Sequence, residues 1–233
     1  MRFRSKLIWV TLFAIAMGLL ESAVVIYMRE LLYPGGFSFP LSPIPERLAV
    51  TELLRELATL VMLVGVGVVA GRNFPERFAW FIFSFGVWDI FYYVFLKLLI
   101  GWPTSMLTWD LLFLIPVTWT GPVVAPVAIS LMMITLALVI LKSAGKNSGF
   151  RITAISWAIL IAGAMVVFLS FITDYTRFIL HSFTLRELWS LPSKQALFDL
   201  SVQYIPFSFP WMIFAAGSAV IIAAGIRIFN ENR

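Results

Sequence analysis

Apolar residues along this chain run in long unbroken blocks, not in the short alternations of half-buried strands or the spaced stripes of amphipathic helices. A helix needs about 20 mostly apolar residues to cross a bilayer's hydrocarbon. Blocks of that length fall at 7–28, 48–71, 78–100, 121–142, 152–173 and 207–227. Each predicts a transmembrane helix, and the six together predict one all-α membrane domain over 1–233. The opening MRFRSK before an apolar core has the outline of a signal peptide. However, Glu21 suits a cleavage site poorly and apolarity continues through VVIYM, so this block is expected to stay as an uncleaved first span.

The connections are uneven. YPGGFSFPLSPIP (33–45) is a Pro/Gly-rich extended loop. GWPTSMLTWDLLFLIPVTWT (101–120) is too apolar for an open loop, with Pro103, Pro116 and Pro122 bracketing its middle. It is expected as a short helix dipping into the outer leaflet, or as a broken extension of span four; irregular backbone survives at that depth only where protein or a wet cavity satisfies it. The segment 174–206 mixes basic and aromatic residues, and TLRE from Thr184 has capping-box spacing. One or two amphipathic helices on the outer surface are expected there.

Composition agrees with the blocks. The chain is 61% hydrophobic and 12% charged, against about 25% charged in soluble domains. The Lys and Arg residues set the orientation. With the N-terminus inside, the cytoplasmic pieces hold Arg2, Arg4, Lys6, Arg72, Arg77, Lys142, Lys146, Arg151, Arg227 and Arg233 against only Glu76 and Glu231. This predicts cytoplasmic N- and C-termini in a cell membrane. The net +5 therefore follows from topology and does not point to nucleic acid.

One block breaks the pattern. TELLREL (51–57) places Glu52, Arg55 and Glu56 at the start of a span. With Thr59 they are spaced i, i+3, i+4, i+7 and share one helix face. By rise per residue, Glu52 lies about 6 Å, Glu21 about 10 Å and Asp89 about 16 Å below the outer ends of their spans. Tyr92 and Tyr93 follow Asp89, and Asp110 sits in the apolar segment before span four. Each charge facing lipid at mid-helix costs about 2.5–3.5 kcal/mol. The acids are therefore expected to gather round an outward-facing polar cavity with Arg55 as a bidentate partner. The competing reading makes Glu52, Arg55 and Glu56 a solvated helix start, and Glu21 and Asp89 structural hydrogen-bonding groups. Asp174, Arg177 and His181 share a face at i, i+3, i+7 and would cap the cavity, unless that face is simply wet.

Glu21, Glu52, Glu56, Asp89 and Asp110 are the candidate catalytic groups, and Arg55, Tyr92, Tyr93, Arg177 and His181 the candidate substrate-binding ones. Lacking cysteine and having one histidine, the chain excludes disulfides, thiolate chemistry and multi-His metal cages. Carboxylates alone would suit a divalent cation such as Mg²⁺, Ca²⁺ or Mn²⁺. No nucleotide loop, GxSxG or HExxH occurs. Three functions fit: an enzyme acting on a lipid or isoprenoid at the outer leaflet, a proton- or cation-coupled carrier, or a non-catalytic subunit of a membrane complex. The absence of a polar path through the cytoplasmic half favours the enzyme. Small-residue spacings at Gly67/Gly71 and at Ala215/Ala219/Ala223 predict close helix contacts.

Overall fold

The structure, a computed structural model, describes residues 3–146, 149–184 and 200–232. It contains six helices long and apolar enough to cross a membrane: α1 (Phe3–Leu32), α2 (Glu46–Ala70), α3 (Phe74–Ile100), α4 (Val124–Lys146), α5 (Ala154–Ser182) and α6 (Trp211–Glu231). Each embraces most of the apolar block that predicts it. Several run further, because backbone hydrogen bonds continue past the last apolar residue. The extension of α1 to Leu32 matters most, since it makes Arg29 helical.

Local signals set the helix ends. Asn73 caps α3 by accepting from the Glu76 N–H at 3.0 Å, Pro75 occupies the first turn, and Gly101 ends the helix in the left-handed region at φ 71°. Thr153 caps α5 through the Ser156 N–H. At one end of the bundle, Lys6 at the start of α1 donates to the Ala70 carbonyl at the end of α2, and Asn232 beyond α6 pairs with Arg151 before α5. Neighbouring helices therefore alternate in direction, as the six-span threading requires.

α3 is the central helix. It packs against α1, α2 and α4, whereas α5 and α6 form a second tight pair. Glycines permit the closest approaches. Gly67 lets α2 meet α3 at Arg77 and Phe81, as its spacing predicts. Gly18 lets α1 reach the α3 backbone at Trp88 and Tyr92, where the Ser22 hydroxyl donates to the Tyr92 carbonyl. Gly86 brings α3 against the Ser130 carbonyl of α4. The α5–α6 contact corrects an expectation: it is made by Gly163 and Gly217, while Ala215, Ala219 and Ala223 are exposed. The glycine stripe lies beside the alanine stripe and permits backbone contact that alanine would block.

The segment 101–120 also differs from expectation. It holds no helix; it forms an antiparallel hairpin of β1 (Trp109–Phe113) and β2 (Trp119–Pro122), with Asp110 opposite Gly121 and a register shift between Leu111 and Phe113. Aromatic and β-branched residues prefer a pleated surface. Pro116, lacking an N–H, falls in the turn, and Pro122 falls at the strand's end, where no ladder bond is lost. Beyond α5, residues 185–199 lie outside the described residues, and with them the middle of the expected amphipathic segment. α5 itself continues through Asp174 to Ser182.

Candidate functional site

A cavity of about 200 Å³ lies at the hairpin end of the bundle, between α1, α2, α3, the start of α4 and the hairpin. From α1 it takes Glu21, Val25, Met28, Arg29 and Leu32, which share one helix face. From α2 it takes Glu52, Arg55 and Glu56, the face read from TELLREL. Asp89, Tyr92 and Tyr93 enter from α3, and Asp110 from β1. All five candidate carboxylates therefore line one space. Glu52, Glu56, Asp89 and Asp110 are buried, so TELLREL is not a solvated helix start.

Their partners differ, and that difference sorts them. Arg55 bridges helices: Nη1 bonds to Glu21 Oε1, and Nε donates to Glu52 Oε2 at 2.8 Å. Because α1 and α2 scarcely touch otherwise, this ion pair and the weaker Thr59-to-Glu21 bond at 3.4 Å link them at the cavity, as the Lys6–Ala70 bond does at the other end. Glu56 turns to the hairpin, where both its oxygens accept from the Leu114 N–H at 2.9–3.0 Å. That N–H sits where the strand ends and has no ladder partner, so the carboxylate does the work of a cap. Asp110 is 1% exposed and receives Arg29 Nη2 at 3.1 Å and the Tyr93 hydroxyl at 3.2 Å. The Arg29 guanidinium lies between two rings, 3.8 Å from the Trp102 centroid and 4.4 Å from that of Phe37. Asp89 stands apart, since its one hydrogen bond among the described residues comes from a neutral group, the Ser130 hydroxyl at 2.7 Å. Gly86, three residues earlier, makes that contact possible by letting the α4 backbone come close.

Two expectations change. The acids do not face one another: four are tied to a guanidinium or a backbone amide, and among the described residues no three carboxylate or imidazole groups gather as a metal site. The expected divalent cation therefore has no ready cage. Arg177 and His181 are exposed and do not line the cavity. Asp174 instead organises the chain before α6, accepting from the Phe207 and Ser208 amides and the Tyr204 hydroxyl. Tyr204 also shares a hydrogen bond with Thr120 of β2, and its burial pushes the phenol's pKa above its ordinary range. Tyr92 packs edge-on against Tyr93, with centroids 4.8 Å apart.

Arg29 and Ser130 are site residues that sequence reasoning missed. Arg29 was legible as position i+8 from Glu21 on the same face. Ser130 carried no signal beyond being one of two hydroxyls, with Thr135, in an apolar span. The rest of the cavity is apolar and aromatic, including Phe85, Trp88, Phe113 and Trp119. No protein-family model, curated protein or solved structure matches the chain.

Proposed function

We propose that this multi-pass membrane protein is an enzyme that draws an amphipathic lipid or isoprenoid from the outer leaflet into the cavity, with Asp89 as its general acid–base. The N- and C-termini are cytoplasmic, as the Lys and Arg distribution argues, and the hairpin end faces outward in the cell membrane. The chain acts as one membrane domain, with the hairpin lying in the outer leaflet.

The observation that carries the reading is the contrast among the carboxylates. Glu21, Glu52, Glu56 and Asp110 are committed to Arg55, to the Leu114 amide or to Arg29. A committed carboxylate is a poor proton carrier, because changing its charge breaks the structure it holds. Among the described residues Asp89 has only the Ser130 hydroxyl, which can serve either protonation state by rotating. It also borders apolar walls, where an acid–base group is strengthened by the exclusion of water. The cavity is smaller than the about 300–1,000 Å³ of sites that engulf drug-sized ligands. It thus suits one end of a long molecule whose remainder stays in lipid.

The carrier reading lacks such support. Towards the other end of the bundle, the buried polar residues among those described are Ser84, bonded to a carbonyl of its own helix, and the Glu76 and Ser156 clusters at the helix termini. The test uses Asp89→Asn. Wild-type protein incubated with membrane lipid extract should convert one lipid class, detected by mass spectrometry, and the variant should melt normally but not convert it. Proton or cation flux through liposomes that is lost in Asp89→Asn would establish the carrier instead.

A further inference from the structure

The charges around the cavity constrain what enters it. Five carboxylates and two guanidiniums line the space, and both guanidiniums are already engaged: Arg55 by Glu21 and Glu52, Arg29 by Asp110. Arg29 does keep one nitrogen, Nη1, without a hydrogen bond, but that atom is buried and has no surface open to the cavity. With rings lying 3.8 Å and 4.4 Å from the guanidinium carbon, an anionic group could reach it only by displacing them. The Trp88 indole N–H is likewise unpartnered and closed off.

Asp89 presents the opposite case. It is 92% buried, lines the cavity and has no cation beside it among the described residues. Ser130 donates to Oδ2, and Oδ1 accepts no hydrogen bond from any described residue. A carboxylate can only accept, so the group that completes it must donate. Next to it the rings of Phe85, Trp88, Phe113 and Trp119 form a continuous wall, with successive centroids 5.2, 6.3 and 5.6 Å apart. Aromatic faces attract cations and repel anions. An unpaired carboxylate beside such a wall is built to receive a desolvated ammonium.

We infer that the cavity binds the protonated amine end of an amphiphile, with Asp89 as its counter-ion and the aromatic wall around its first carbons. This rests on the reading that the site takes an amphipathic substrate with Asp89 as acid–base, and it names the substrate's chemical class: the proton Asp89 takes up is then the ammonium's own, leaving a carboxylic acid beside a free amine. The structural alternative, Asp89 as a group that merely ties α3 to α4 through Ser130, predicts no preference among headgroups.

Binding of chain-matched probes to the full-length protein in zwitterionic nanodiscs tests this. The probes are dodecylamine, dodecanol and dodecyl phosphate, read by tryptophan fluorescence and by the melting temperature. Dodecylamine should bind about tenfold or more tightly than either of the others, as expected for one desolvated cation–π and ion-pair contact. Asp89→Asn should abolish that preference; comparing it with wild type cancels differences in membrane partitioning. Ser130→Ala, which strips the carboxylate of its one donor, should hold the amine at least as tightly, and it decides the matter if Asp89→Asn fails to fold. Equal or tighter binding of dodecanol or dodecyl phosphate would overturn the amine assignment while leaving an amphiphile site standing. Binding of none of the three would overturn both.

Discussion

From Phe3 to Pro122, buried acids and arginines reach across the gaps between elements. Within α4, α5 and α6, charged residues are confined to the last three turns. In the first half α1 and α2 lean on α3 but scarcely on each other, and what spans the space is Arg55 with Glu21 and Glu52, Glu56 with the hairpin, and Arg29 with Asp110. In the second half α5 and α6 close directly, with Gly163 and Gly217 each set against backbone of the facing helix and against the Ile221 and Val167 side chains. Lipid offers little hydrophobic drive for helices to associate, so they hold together by close packing or by polar contacts. Close packing leaves no room for a polar cavity between α5 and α6; the space of about 590 Å³ in this half lies between α4 and α6 and is lined almost wholly by apolar side chains. Polar contacts hold helices at arm's length, and here that distance becomes the cavity.

The contrast is best broken at Arg29. Replacing it with alanine leaves Asp110 charged and buried beside a tyrosine hydroxyl, which should cost about 3–5 kcal/mol. Adding Asp110→Asn should recover much of that loss, because the uncompensated charge is then gone. Unfolding curves of the two variants and of wild type in one detergent measure both effects. If Arg29→Ala melts like wild type, ion pairs are not what supports the first half. Gly217→Leu asks the same of the second half. A Cβ there would lie 2.7 Å from the Val167 backbone nitrogen, and the overpacking should cost about 1–3 kcal/mol while leaving amphiphile binding to any folded fraction unchanged.

Glu56 should matter less to stability and more to local order. Glu56→Gln keeps an acceptor but gives up the charge that strengthens the bond to Leu114. The loss should be about 1 kcal/mol. Hydrogen exchange should quicken at the Leu114 amide and leave those of α5 unaffected. Exchange that rises equally in α5 would mean that the hairpin is not a separately held lid.

What the sequence made legible follows the physics of each element. The spans could be read because hydrocarbon thickness imposes a length, and that length survives any detail of packing. The acidic face of α2 could be read because the spacing of Glu52, Arg55, Glu56 and Thr59 needs only helix geometry. Arg29 stood on the face of Glu21, but it was assigned to a loop because α1 was ended too early. The hairpin was hidden for a different reason: a short apolar run carries no periodicity that separates a strand from a buried helix. Only the β-branched and aromatic content of TWDLLF and VTWT hinted at strands. For Arg177 and His181 spacing left two readings open, because it says that residues occupy one face, not which way that face turns; both are exposed.

The same ambiguity governs the smallest prediction. Ala215, Ala219 and Ala223 have the spacing of a helix contact, yet all three are exposed, while Gly217 faces α5. Ala219→Leu should therefore change stability by no more than about 0.5 kcal/mol, as for surface positions generally. Gly217→Ala, a far smaller change in volume, should exceed it, because its new methyl meets backbone that cannot move aside. The comparison depends only on how α6 is rotated about its axis. Melting curves of these two single variants fix that rotation, and a reversed order would turn the alanine stripe towards α5 and take the Gly163–Gly217 contact, with the tight α5–α6 pair built on it, out of the molecule.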